Sequence, residues 1–496
     1  MFTEYTKYDA LGLVELIKNK EVTAEEVLQA AIDQVDKLNP YLNAVIHHDG
    51  EQARKIINDQ KKEGLFSGVP FLIKDLTAVL KDVPMTMGSR GINWVPDYDS
   101  VHVERWKSTG VSILGKTNTP ELGLIITTEP KAHGPCHNPH KQGYSTGGSS
   151  GGSACAVASG MVPIASGGDG GGSIRFPSSW CGVFGLKPSR GLNPLQPDYG
   201  QAWSGAVADH ILSRTVRDSA AMLDATAGYA SGGPYKVDKD RSGYLNAASK
   251  DPVKLRIGLS RIPLIEGTPL DLEVMDVLDQ TAKTLQDMGH IVEECEPQIN
   301  KDLFWRDFIT VISGHVARDY DYLKEKFGND AVKKLEPATI NSAKFGKALT
   351  VNQFLEALEG WHKSSMVMGD YLSEYNMMLC PTTPITATKH GVLPMSAFEE
   401  KLMLANASLA FTGVNKLLWK SSFLEHFMLP ILSKMCYTVL GNVTGLPCMS
   451  VPLAMSSEGL PIGMQFVGRM GDEARLFSLA GQMERAGLFS CSTVAV

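Results

Sequence analysis

Cysteine is scarce in this chain: eight residues in 496, with no C-x-x-C among them. Cys136, Cys155, Cys181, Cys295, Cys380, Cys436, Cys448 and Cys491 are too few and too scattered for a disulfide framework. Reduced thiols in a cytoplasmic protein are the expectation. No run of 18 or more apolar residues occurs, which argues against a transmembrane helix. The first residues, MFTEYTKYDALGLVELIKNKEV, interleave charges throughout. They lack a basic segment followed by an apolar one, so no signal peptide is expected. Nor is there an excess of positive charge. Lys and Arg number 47 against 54 Asp and Glu, a formal net charge of −7. A broadly basic surface is excluded, and no nucleic-acid partner is expected.

What is present is material for a large core. Hydrophobic residues make up 43% and charged residues 20%, which removes any compositional case for disorder. At roughly 100–200 residues per domain the length allows two to four domains, or one large α/β unit. Leu11, Val14, Leu16 and Ile17 have helical spacing. Thr23-Ala24-Glu25-Glu26 is a capping box that opens a second helix, with Val27, Ala31, Ile32 and Val35 as its buried stripe and Asn39-Pro40 as its stop. Gly68 to Asp75 reads GVPFLIKD, a short apolar run that suits a buried strand. It ends on Lys74, an ammonium that is costly to desolvate unless paired. A helix over Val101 to Lys107, capped by Asp99 or Ser100, precedes a strand at Val111–Gly115. Strand- and helix-like segments alternate again past residue 200, at 255–259, 271–288 and 290–292. Residues 302–435 are mostly helical in pattern, and strands return at 449–453 and 463–468. Strands at both ends favour one α/β domain around a single sheet.

The 48 glycines are unevenly spread. Between Gly143 and Ser173, Gly and Ser fill 18 of 31 positions. A flexible linker is the plain alternative, but it has no reason to carry Ala154-Cys155-Ala156-Val157-Ala158 or Met161-Val162-Pro163-Ile164-Ala165. The pattern is loop, short helix, strand, loop. In the second loop, Gly170-Gly171-Gly172 bare backbone N–H groups beside the hydroxyl of Ser173, the arrangement needed to hold an oxyanion next to its nucleophile. A phosphate cradle requires Lys before the Ser or Thr, and here Ile174-Arg175 follow. Gly147-Gly148-Ser149-Ser150-Gly151 satisfies the G-x-S-x-G elbow of α/β-hydrolases. That elbow must follow an apolar strand, whereas His140-Lys141-Gln142-Gly143-Tyr144 is polar.

The run GGSSGGSACAVASGMVPIASGGDGGGSIRFPSSWCGVFGLKPSRG, Gly147 to Gly191, closely resembles the amidase signature family. GVPFLIKD, GKTNTPELG, NVTGLP and GLPIGMQFVGR extend the resemblance from about residue 8 to about 486, weakest between 300 and 435. It implies a large mixed sheet flanked by helices on both faces, with a mostly helical insertion in the later half. It implies one amidase domain over 1–496: N-terminal helices to 62, a core motif region over 63–200, a helical substrate-side or lid region over 302–435, and a return to the sheet over 436–496. It further implies a Ser–cis-Ser–Lys triad with Ser173 as nucleophile, Ser149 as the bridging serine and Lys74 as base. The N–H groups of Gly170, Gly171, Gly172 and Ser173 would form the oxyanion hole, with Asp169, Arg175 and Ser150 as supports. The chemistry is self-consistent, because Lys can take a proton only when burial lowers its pKa. The plain alternative for Lys74 is a buried pair with Asp75 or another carboxylate. Gly168 and Gly170 depart from the commonest family pattern, which suggests a looser loop or a roomier acyl side.

No metal and no cofactor are implied. His133, Cys136, His137 and His140 mimic a zinc set, but Pro135 and Pro139 break up the cluster. The partner is a small-molecule amide. No Arg stands between Arg318 and Arg469 to clamp an α-carboxylate, which speaks against glutamine and an amidotransferase subunit. Residues 402–435 read as a buried helical pair, or as a lid or membrane-touching cap. The local wording around 115–149 most resembles broad-specificity amidases and the cyclic-dimer hydrolases of nylon oligomers. A lipid amidase of the fatty-acid-amide type and a non-catalytic effector on the same scaffold are the alternatives. A homodimer is compatible with all of these.

Overall fold

The computed structural model describes residues 2–59, 64–392 and 431–494. Its strands are β1 (Val45–His48), β2 (Pro70–Lys74), β3 (Ser112–Thr117), β4 (His137–Asn138), β5 (Lys141–Ser145), β6 (Ile164–Asp169), β7 (Phe184–Lys187), β8 (Ala208–Ser213), β9 (Arg256–Leu259), β10 (Ile291–Glu294), β11 (Met377–Pro381), β12 (Cys448–Met455) and β13 (Pro461–Gly468). Eleven of them form one mixed sheet in the order β1-β3-β2-β6-β8-β7-β12-β13-β11-β9-β10, flanked by helices. β2 runs parallel to β3 and β6, and the pairings from β6 to β11 are antiparallel. β2 is covered on both faces, which is why PFLIK reads as continuous rather than alternating.

The second helix spans Ala24–Leu42 behind the expected capping box, with both reciprocal hydrogen bonds formed. It does not stop at Asn39-Pro40. Leu38 and Leu42 are buried, and the helix continues through Pro40 for that packing. It ends at Asn43, in the left-handed region at φ 52°. Asn39 then pins the outgoing chain, its amide exchanging two 2.8 Å hydrogen bonds with the backbone of Val45.

Two sheet strands lie where only helices were expected. β1, within residues 1–62, pairs antiparallel with β3. β11, within 302–435, is fully buried between β13 and β9. A run as short as MMLCP has no period that separates strand from helix. Around it the expected helices form, at Lys301–Phe327, Pro337–Ala348 and Val351–Glu374. The lid or cap reading of 402–435 lies outside the described residues up to position 430. Among the described residues, no helix is long and apolar enough to cross a membrane.

The glycine- and serine-rich segment begins in β5, which pairs with β4 in a polar two-stranded ribbon outside the main sheet. The helix Gly151–Ala158 follows, buried along its whole length. Its small residues allow close approach: a Cβ on Gly152 would lie 2.5 Å from the backbone N of Asn118. β6 then carries the chain to the second glycine loop.

Candidate active site

Lys74 ends β2 and is 1% exposed. Its backbone N–H donates to Ser166 Oγ at 2.8 Å, tying the strand end to β6. Its Nζ lies 2.7 Å from Ser149 Oγ and 3.0 Å from the carbonyl oxygen of Gly168. Burial pushes the Lys74 pKa down to about 8, against the opposing charges of Asp209 and Asp169. Asp75 is not its partner. Successive strand residues point to opposite faces, and the Asp75 carboxylate accepts instead from Thr86 N, Thr86 Oγ1 and Met87 N at 2.6–3.1 Å.

Ser149 follows a cis Gly148–Ser149 peptide bond, and its carbonyl accepts from Thr119 Oγ1 at 2.9 Å. Ser150 N–H donates to the carbonyl of Ser173 at 3.1 Å, joining the two glycine loops. From Ile164 to Cys181 every residue is buried except Ser173, which is partly exposed. A lone accessible hydroxyl in a buried loop is what a nucleophile requires.

The loop before Ser173 is held by Asp169 and Arg175, both fully buried. Arg175 Nε and Nη2 grip the carboxylate at 2.9 Å each. Burial alone would raise the Asp169 pKa, but Arg175 and Asn442 outweigh it and hold the carboxyl well below the usual range. The same carboxylate accepts from the N–H of Gly172 at 2.7 Å and of Ile174 at 3.1 Å. This corrects the expected donor set: the Gly172 N–H is already committed to Asp169. The N–H groups of Gly170, Gly171 and Ser173 meet no acceptor among the described residues.

Sequence reasoning quoted NVTGLP and GMQFVGR without giving their polar residues a task. Asn442 donates to Asp169 Oδ1 at 2.8 Å, to the Asp169 carbonyl at 2.9 Å and to the Ala206 carbonyl at 3.0 Å. Gln465 Oε1 accepts from Arg175 Nη1 at 2.6 Å. The expected loosening at Gly168 and Gly170 is also corrected, because other side chains fill the space. A Cβ on Gly168 would lie 2.5 Å from Asp209 Oδ1, and one on Gly170 would lie 2.8 Å from the Trp203 ring. Trp203 also lines a cavity of about 520 Å³ with Tyr199, His315, Arg318 and Phe354.

The four residues that mimic a zinc set are dispersed among other partners. His133 bonds Thr86 Oγ1 at 2.8 Å, His137 Nδ1 faces His390 at 3.2 Å, and His140 bonds the Cys181 carbonyl at 3.0 Å. Cys136 packs in the core. Among the described residues, no group of three His, Cys, Asp or Glu could hold a metal.

Residues 26–477 match the family model described as Amidase. The 6-aminohexanoate-cyclic-dimer hydrolase of Pseudomonas sp. (strain NK87) is 33% identical over 487 residues, covering 96% of this chain and 94% of the relative. The acylamidase of Rhodococcus erythropolis is 31% identical over 487 residues, with 96% and 94% covered. A solved structure of 6-aminohexanoate cyclic dimer hydrolase superimposes with a TM-score of 0.87 at 32% identity, covering 97% of this chain and 96% of that one. The match spans nearly the whole sheet and both glycine loops. On this evidence the chain belongs to the amidase signature family and is an amidohydrolase of carbon–nitrogen bonds.

Proposed function

We propose that this protein hydrolyses a small or hydrophobic carboxylic amide to a carboxylate and an amine or ammonia, through an acyl-enzyme on Ser173. The observation that carries the reading is the 2.7 Å contact between Lys74 Nζ and Ser149 Oγ, made by a lysine whose pKa burial lowers to about 8. Neutral Lys74 has a lone pair for the Ser149 proton, while one of its own N–H bonds donates to the Gly168 carbonyl. Ser149 in turn takes the proton of Ser173, whose Oγ attacks the amide carbon. The oxyanion that forms is held by the N–H groups of Gly170, Gly171 and Ser173. The C–N bond breaks as Ser149 returns a proton to the leaving nitrogen. Water, deprotonated along the same route, then releases the carboxylate.

Asp169, Arg175 and Ser150 hold the two loops and do not touch substrate in this scheme. The cavity beside Trp203 takes the substrate's remote portion. All the motifs belong to one amidase unit spanning the chain. Cyclic amides are the second reading, favoured by the similarity to two 6-aminohexanoate-cyclic-dimer hydrolases. A fluorophosphonate probe tests the main reading: labelling at Ser173 that disappears in Ser173→Ala supports it, while absence of labelling in folded protein points to a non-catalytic scaffold. An amide panel varying acyl length and including cyclic dimers separates the substrate classes.

A further inference from the structure

In this scheme the attack of Ser173 places a positive charge on buried Lys74 until the proton passes to the leaving nitrogen. Something must set how tightly that proton is held, and two carboxylates are near enough to do so. Asp169 is one, on β6. Its charge is cancelled by a bidentate buried Arg175. Asp209 is the other, on β8, directly opposite Gly168 in the β6–β8 register. It is 2% exposed. Its Oδ2 accepts from Thr77 Oγ1 at 2.6 Å and lies 3.2 Å from His102 Nε2, itself 2% exposed. Among the described residues no arginine pairs with it, and its Oδ1 has no hydrogen-bond partner. That oxygen lies 2.5 Å from where a Cβ on Gly168 would stand. Gly168 is the residue whose carbonyl accepts from Lys74 Nζ.

The remaining charged groups around Lys74 have other partners. Asp75, next in the strand, is held by Thr86 and Met87, with Lys116 of β3 at 3.9 Å. Lys116 Nζ donates to the Ala78 carbonyl at 2.8 Å.

We propose that Asp209 is a positioning residue that sets the proton affinity of Lys74, through a buried carboxylate seated on Gly168. The inference rests on Lys74 being the base. It also explains the glycine at 168: any side chain there would displace Asp209 Oδ1. The direction of the effect follows from the charges. Burial drives the Lys74 pKa down, and the Asp209 carboxylate opposes that fall. Removing the carboxylate lowers the pKa further.

The test is the pH profile of kcat/KM for an amide that the wild type hydrolyses. In Asp209→Asn, which keeps the shape and loses the charge, the acid limb moves down by about one pH unit. The plateau kcat falls by roughly tenfold, because a weaker base drives the proton transfer less, and KM stays unchanged. Thr77→Val, which removes the hydroxyl that partly offsets the carboxylate's charge, moves the limb the opposite way, upward, and by less. It decides the matter should Asp209→Asn fail to fold. An unmoved acid limb in a folded variant overturns the inference. Lys74→Ala is measured alongside: if it is inactive while the limb is unmoved, only the Asp209 assignment falls. If Lys74→Ala is active, the base assignment falls as well.

Discussion

Lys74 and Lys187 end two strands of the same sheet. Each is 1% exposed, and burial pushes each pKa down to about 8. By burial and proton affinity they are the same residue. The polar atoms that their Nζ groups touch differ. Lys74 Nζ touches a serine hydroxyl at 2.7 Å, and Lys187 Nζ donates to the carbonyl of Pro188 at 2.8 Å. A carbonyl has no proton to give. A depressed pKa makes a lysine able to act as a base. An acidic hydrogen within reach makes it one.

Substitutions can break this comparison, and the largest effect is expected at Lys74. Lys74→Ala should cut kcat by about a thousandfold or more, the upper range for loss of a general base, with the circular dichroism spectrum unchanged. Lys187→Met should keep kcat within about tenfold of wild type, since it touches neither serine. A comparable loss in both variants would show that burial, not the serine contact, defines the base.

The second expectation concerns the loop beside Ser173. Arg175→Met strands the Asp169 carboxylate and should cost about 3–5 kcal/mol in urea unfolding. Activity should fall too, because Asp169 orients the loop through the N–H groups of Gly172 and Ile174.

The third expectation is a pH effect. A lysine near 8 in the folded state binds fewer protons than the unfolded chain, where lysine titrates near 10.5. Its burial penalty is therefore in full force below about pH 8 and is relieved as pH rises toward 10.5. Lys187→Met should raise stability at pH 7 and flatten its rise between pH 8 and 10, measured by urea midpoints. In the same window kcat/KM of the wild type should climb through an acid limb near pH 8, and Lys187→Met should leave that limb in place.

The smallest effect is expected at Thr119, whose hydroxyl donates to the Ser149 carbonyl. Thr119→Val should cost about 1 kcal/mol of stability and lower kcat by less than the Lys74 change.

The residues of the proposed site were legible because each lies in a short, unusual local pattern. Lys74 closes an apolar run, and Ser149 and Ser173 sit in glycine loops. Asp169 and Arg175 flank the second serine closely enough to be suspected as a brace. Lys187 lay inside the quoted motif and still drew no attention, since nothing local separates it from a surface lysine. Asp209, Asn442 and Gln465 were missed for another reason. They reach the site across the sheet or from remote segments, and their partners there are 41 to 290 positions away in the chain. The commitment of the Gly172 N–H to Asp169 was equally hidden, because a run of glycines does not say which amide points where.

By itself the sequence determined the family, the sheet-and-helix class and the three residues proposed for the chemistry. These depend on side-chain type at short spacing, which local backbone geometry preserves. Only the tertiary structure decided which of the buried lysines meets Ser149, and which carboxylate reaches Gly168. It also decided which amides of the glycine loop remain free to hold an oxyanion. Those are consequences of strand order and register, set by packing between segments far apart in the chain.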